Sequence, residues 1–172
     1  TLDCGQVFRY VEVDGVFDLK AGAERAIFTK TDDGWQVDCT DVGFFQKYLD
    51  FDTKYDIIQS KVHDKGLVSS AIEYGKGVHI LRQNLIETVF SFIISQNNNI
   101  PRIKGIIERL CENFGEKIEG GYTFPEADVI AKLSPEDLAP LRAGFRTKYI
   151  LDAARKVASR EVDLRAILTM ST

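Results

Sequence analysis

The segment Gln96-Asn97-Asn98-Asn99-Ile100-Pro101-Arg102 and the triplet Gly144-Phe145-Arg146 gather the side chains best suited to reading a polar ligand. Each asparagine amide brings donors and an acceptor, and each arginine a fork of donors with a fixed positive charge. Two uses of the three asparagines are open: they cap the ends of two helices, or they recognise a ligand with Arg102 beside them. Phe145 has two uses as well. An aromatic just before a helix serves as a hydrophobic staple; flanked by arginines, it is the kind of apolar side chain that inserts into a stack of bases.

Other chemistries find little support. No Ser-His-Asp order and no glycine-rich phosphate loop can be assembled, and His63 and His79 are isolated. Cys4, Cys39 and Cys111 form no CxxC pair, so neither a zinc site nor a disulfide framework is expected. The three thiols read as buried or idle, no metal or cofactor is implied, and the lack of a secretory opening suggests a reducing intracellular setting. Gly5, taken alone, is a strand-entry glycine without chemistry.

The elements that must position these residues change character near Thr40. Before it, apolar residues alternate around Asp14-Gly15 and around Thr31-Asp32-Asp33-Gly34, which predicts a small antiparallel sheet closed by hairpins. After it the period is helical, and no further alternation is convincing. Asn84 with Glu87 has the form of a capping box opening Leu85 to Ser95, apolar nearly all round and expected to be central and buried. Ile103, Ile106, Ile107, Leu110 and Phe114 mark one face of a second helix, stopped by Gly115. Ser134-Pro135-Glu136-Asp137 is expected to start a short helix, and Gly144-Phe145-Arg146 to lead into another with Tyr149, Ile150, Ala153, Ala154 and Val157 inward. The expected architecture is α+β, with residues 1–75 a sheet domain with flanking helices and residues 76–172 a helical domain.

At 172 residues, 44% hydrophobic and 28% charged, the chain can build a core, and disorder, collagen and a membrane span are excluded. Its net charge of -4 leans away from polyanions. That mean conceals a division. Residues 1–75 carry -6 and residues 76–172 carry +2, with +5 between Arg142 and Arg160. The basic stretch favours the wedge reading of Phe145. Ser171-Thr172 is a helix N-cap signal with nothing after it, so the chain is expected to be a fragment.

Taken in order, Leu2-Asp3-Cys4-Gly5-Gln6-Val7-Phe8-Arg9-Tyr10, Leu81-Arg82-Gln83, Ser91 through Ile103 and Gly144-Phe145-Arg146-Thr147-Lys148-Tyr149 resemble the 8-oxoguanine DNA glycosylases of the helix-hairpin-helix superfamily. The resemblance implies a small TBP-like antiparallel sheet domain followed by a mostly helical glycosylase domain, incomplete at the C-terminus. It implies a base-excision repair enzyme that flips 8-oxoguanine out of duplex DNA opposite cytosine, with AP-lyase activity in the full-length protein, acting as a monomer without a membrane. By the same resemblance, Arg102 and Arg146 hydrogen-bond the orphaned cytosine, Asn97 fills the vacated stack within the run completed by Asn98 and Asn99, and Phe145 is the wedge. Gly5 would accept from the N7-H of the lesion through its carbonyl.

Two departures accompany the resemblance. Family members in eukaryotes usually carry tyrosine where Phe145 stands. The hairpin with the catalytic lysine, and the aspartate after it, have no match in residues 1–172, so the catalytic residues are expected beyond them and this chain alone should not turn over. Alternatives are an alkylbase glycosylase of the same superfamily and a non-catalytic module binding DNA or protein through the basic stretch. A soluble α+β domain whose asparagines only cap helices is the blandest reading.

Overall fold

The alternating first forty residues become a four-stranded antiparallel meander in sequence order: β1 (Tyr10–Val13), β2 (Val16–Ala21), β3 (Glu24–Thr31) and β4 (Gly34–Cys39). Asp14 and Gly15 take φ of 53° and 78°, the doubly left-handed turn whose twist suits a two-residue hairpin, and Val13 pairs with Val16 across it. One face of the sheet buries Leu19, Ala21 and Ala26 against Phe45, Tyr48 and Leu49. Those last residues belong to or follow α1 (Val42–Tyr48), whose first turn is capped by Asp41 accepting from the Phe44 amide. This computed structural model describes residues 1–62, 66–167, 169 and 170; His63 and the cap signal at Ser171-Thr172 lie outside them.

Helices α2 (Tyr55–Ser60) and α3 (Leu67–Tyr74) lead to an extended segment and then to the helical core. There α4 (Leu85–Ser95), α5 (Ile100–Phe114), α6 (Ala127–Ala131) and α7 (Arg146–Ala158) enclose Phe90, Ile94, Ile106, Leu110, Ile130 and Ile150. A last short helix, α8 (Leu164–Ile167), completes the described elements. No described helix is long and apolar enough to cross a membrane. The α+β order expected from the sequence is the order found.

Several details differ from the periodicity reading. A two-residue hairpin, β5 (Lys117–Ile118) and β6 (Gly121–Tyr122), lies beyond the expected sheet, too short to register as alternation. Ser134 and Asp137 do bond reciprocally, but they open a turn and the 3-10 segment Ala139–Leu141 instead of an α-helix, while α6 forms earlier. Phe92 is 67% exposed and Tyr149 49% exposed, so α4 is not buried all round and α7 turns Leu151 inward instead of Tyr149. Each helix has only one face against the core, and apolar content alone does not say which residues fall outside it.

Polar contacts join the sheet to the helices. Arg9 donates from Nη1 to Glu87 Oε2 at 3.1 Å and from Nη2 to the Tyr122 carbonyl, all three groups being buried or half-buried. Burial pushes the Glu87 carboxyl above its usual range despite Arg9. Glu87 thus faces Arg9 and does not reach back to its own N-cap, although Asn84 does accept from the Ile86 and Glu87 amides. On the far side, Asp50 accepts from the Tyr55 hydroxyl at 2.6 Å and from Arg82 Nε at 2.9 Å, while the Arg82 amide donates to Tyr48. These contacts moor the segment before α4 to α1.

Replacing Arg9 by Met leaves a buried carboxylate without its cation and is expected to cost about 3–5 kcal/mol in denaturant unfolding. Adding Glu87→Leu should recover a large part of that loss. Asp50 supplies a pH signature: the Tyr55 hydroxyl, then Arg82, hold its carboxyl down at about 2 against an ordinary 3.8. A lowered carboxyl stabilises the fold above its ordinary value and loses that contribution as pH falls towards the lowered one. Asp50→Asn should therefore be less stable at neutral pH and show a shallower acid limb between 3.8 and about 2, as followed by circular dichroism.

Candidate nucleic-acid interface

Two turns meet beside the helical core. The first links α4 to α5, and in it the three asparagines part company. Asn98 donates from Nδ2 to the Ile94 carbonyl at 3.0 Å and accepts from the Asn99 amide, closing the end of α4. Asn99 is the N-cap of α5, accepting from the Arg102 amide at 3.0 Å, with Pro101 in the first turn where its missing N–H costs nothing. Asn97 is exposed, has a left-handed φ of 48° and makes no side-chain hydrogen bond among the described residues. Capping accounts for two of the three amides and leaves the third facing solvent.

The second turn precedes α7. Arg142 and Gly144 both take left-handed φ, 53° and 64°, and this reversal delivers Phe145 and Arg146 to the start of the helix. Phe145 is 56% exposed and is not stapled into the core. Its ring lies 4.5 Å from the Arg146 guanidinium carbon and edge-on to Tyr149, centroids 6.3 Å apart. Arg146 is only 2% exposed. Its Nε and Nη2 donate to the Gln96 carbonyl at 3.0 and 2.6 Å, Nη2 donates to the Asn97 carbonyl at 2.7 Å, and Nη1 reaches Ala143 at 3.4 Å.

Arg102 approaches the same turn from the exposed side. Its Nη2 lies 3.4 Å from the Arg142 carbonyl and would stand 3.8 Å from a side chain placed on Gly144. Seven residues on, two helical turns along the same face of α5, Arg109 donates to the Leu141 carbonyl at 2.8 and 3.1 Å. The i, i+7 spacing of these two arginines is a signal that apolar periodicity passes over. Of the six cations from Arg142 to Arg160, Arg146 is buried, Arg155 reaches the carbonyls of Ala131 and Leu133, and Lys156 pairs with Asp152. Arg142 and Lys148 keep exposed charge near Phe145, with the Lys148 ammonium 4.8 Å from the Tyr149 ring.

Asn97, Arg102, Phe145 and Arg146 are therefore brought to one place, while Gly5 sits on a separate turn. It ends the 3-10 segment Leu2–Cys4 with a φ of 81°, a conformation that favours glycine, and no atom lies within 4 Å of the position a Cβ would take. Gln6 holds the turn from its far side. Its amide group donates to the His79 carbonyl and accepts from the Leu81 amide, and its backbone carbonyl accepts from Gln83 at 2.7 Å. That brace joins Leu81-Arg82-Gln83 to Gly5-Gln6 in space. Among the thiols, Cys111 is buried and pushed up to about 12, which leaves it inert, while Cys4 is exposed and Cys39 intermediate.

Residues 90–169 match the family described as HhH-GPD superfamily base excision DNA repair protein. Over those residues the helical part of this chain is similar to HhH-GPD domains. Its sequence relatives include the N-glycosylase/DNA lyase of Saccharomyces cerevisiae, 37% identical over 51% of this chain and 25% of that enzyme. Among solved structures, MBOgg1 in complex with a low-affinity DNA ligand is 35% identical with a TM-score of 0.87, and the match covers 98% of this chain and 62% of that one. The Clostridium acetobutylicum 8-oxoguanine glycosylase/lyase, in complex with double-stranded DNA containing cytosine opposite the lesion, is 30% identical with a TM-score of 0.88 over 98% of this chain and 61% of its own. The likeness to the solved structures takes in the sheet together with the helical part, and this chain spans a quarter of the yeast enzyme and about three fifths of the solved chains.

The division of labour among the three asparagines is testable by stability alone. Asn99→Ala removes an N-cap and should cost about 1 kcal/mol. Asn97→Gly, at an exposed left-handed position, should change stability by less than about 0.5 kcal/mol. Chemical denaturation of the two variants beside the wild type checks both.

Proposed function

We propose that this chain is the DNA-reading part of a base-excision glycosylase that extrudes and removes 8-oxoguanine opposite cytosine, with AP-lyase activity in the full-length protein. Residues 1–75 serve as the scaffold that presents Gly5, and residues 76–172 carry the duplex-facing turns. The observation that carries the reading is the meeting of an exposed apolar ring, Phe145, and an unengaged amide, Asn97, between Arg102 and Arg146.

Flipping a base leaves a hole in the stack and a partner without its hydrogen bonds, at a cost of a few kcal/mol. Phe145 can wedge the step open and Asn97 can fill the vacated space. Cytosine presents N3 and O2 as acceptors, which two guanidinium groups can satisfy. Without DNA, the donors of Arg102 and Arg146 rest on backbone carbonyls of the two turns. Engaging cytosine exchanges some of these carbonyl oxygens for the N3 and O2 acceptors of the base. Gly5, exposed and open on the side where a Cβ would stand, offers its carbonyl to the N7-H that distinguishes the lesion from guanine. Arg142 and Lys148 supply phosphate contacts. No residue here is assigned to bond cleavage.

The test is a binding titration of matched duplexes, 8-oxoguanine opposite cytosine against guanine opposite cytosine, at fixed salt. The lesion duplex should bind more tightly, and Arg102→Ala should weaken that complex by about 1–3 kcal/mol while relaxing the preference for cytosine. Equal affinity for both duplexes in the native gene product carrying these residues overturns the reading.

A further inference from the structure

A set of contacts joins α5, the helix that follows the Asn97 turn, to the 3-10 segment that ends at Gly5. It begins at Lys104 on α5, two residues beyond Arg102. The Lys104 ammonium donates to the Tyr10 carbonyl at 3.2 Å and stands 3.3 Å from the centroid of the Tyr10 ring, so one strand residue binds the same cation through its oxygen and its π face. The Tyr10 hydroxyl then donates to Asp3 Oδ1 at 2.7 Å. Asp3 belongs to the 3-10 segment Leu2–Cys4, which ends at Gly5.

Each link is directional and partly buried. Tyr10 is buried in the sheet core and Lys104 is half-buried. Burial, with the Asp3 bond after it, pushes the Tyr10 phenol above its usual range, so the hydroxyl stays a donor; burial also lowers the Lys104 ammonium. Gly5 is braced on its C-terminal side by Gln6, whose partners precede α4. On its N-terminal side Thr1 bonds Gly77 and His79, and Asp3, through Tyr10 and Lys104, ties the same segment to the first turns of α5, the helix that carries Arg102.

We propose that Lys104, Tyr10 and Asp3 are positioning residues for damage recognition, setting the place of the Gly5 carbonyl relative to α5 without touching DNA. The proposal rests on the reading of Gly5 as the lesion-reading acceptor. A carbonyl that selects by a single hydrogen bond must be held to a fraction of an ångström, because the bond weakens steeply with distance and angle. A turn free to shift relative to α5 would offer the carbonyl to guanine and lesion in more than one pose. The relay therefore determines specificity for the damaged base, while the opposite-base contacts from Asn97 and Arg102 stand apart from it.

Three duplexes separate these roles when titrated with the native gene product: 8-oxoguanine opposite cytosine, guanine opposite cytosine, and a stable abasic analogue opposite cytosine. Tyr10→Phe keeps the ring and removes the hydroxyl; Asp3→Ala acts on an exposed turn and spares the core; Lys104→Met keeps the stem and removes the cation. Each should lower the preference for lesion over guanine by about fivefold, the factor one net hydrogen bond carries, with affinity for the abasic duplex unchanged. A full lesion preference in all three variants, or an equal loss on the abasic duplex, overturns the relay. No lesion preference in the wild type instead overturns the reading of Gly5, and the relay with it.

Discussion

Burying a guanidinium is tolerable only where its donors meet acceptors and its charge meets an opposing field. Arg146 finds both just past the end of α4, where the carbonyls of Gln96 and Asn97 accept its donors near the negative end of the helix dipole. Its own place, the first residue of α7, is the positive end of another helix, so without that cradle the cation would face repulsion as well as desolvation. One side chain thus fixes the end of α4 to the start of α7. The left-handed backbone of Asn97 and the stance of Phe145 against the guanidinium both depend on it.

A second constraint operates between the sheet and the helices. Their apolar clusters are distinct, one around Leu19 and Phe45 and the other around Ile106 and Ile150. What crosses between them includes directional polar contacts: Arg9 with Glu87 and Tyr122, and Lys104 with Tyr10. Apolar packing alone tolerates small slips, whereas a buried ion pair that also donates to a carbonyl defines one position. The proposed function, in which one turn from the sheet side and another from the helical side read the same ligand, requires that property.

Much of this was legible in the residues alone. Asp14-Gly15 announced its hairpin, Asn84 its cap, and Ile103, Ile106, Ile107 and Leu110 the buried face of α5, because turn chemistry and periodicity are local. The candidate interface was legible as a set of residues, since Asn97, Arg102, Phe145 and Arg146 stand in two short motifs. Their individual states were not. Arg146 read as part of a basic stretch and is the largest fully buried side chain among the described residues, because acceptors 49 and 50 residues away in sequence enclose it. Tyr149 read as inward and is half exposed, because Leu151 fills the core position on α7.

The residue sequence by itself determined the order of elements, the sites of the turns and the collection of donors at Gln96 to Arg102 and at Gly144 to Arg146. Short-range backbone preferences and side-chain period suffice for these, and they hold wherever the segment finds itself. Only the tertiary structure decided which asparagine caps a helix end and which faces solvent, which arginine is buried, and that Gly5 is tied to α5 through Asp3, Tyr10 and Lys104. Those outcomes turn on which acceptor arrives within about 3 Å of which donor. That distance is set by helices and strands far apart in the chain and close only once folded.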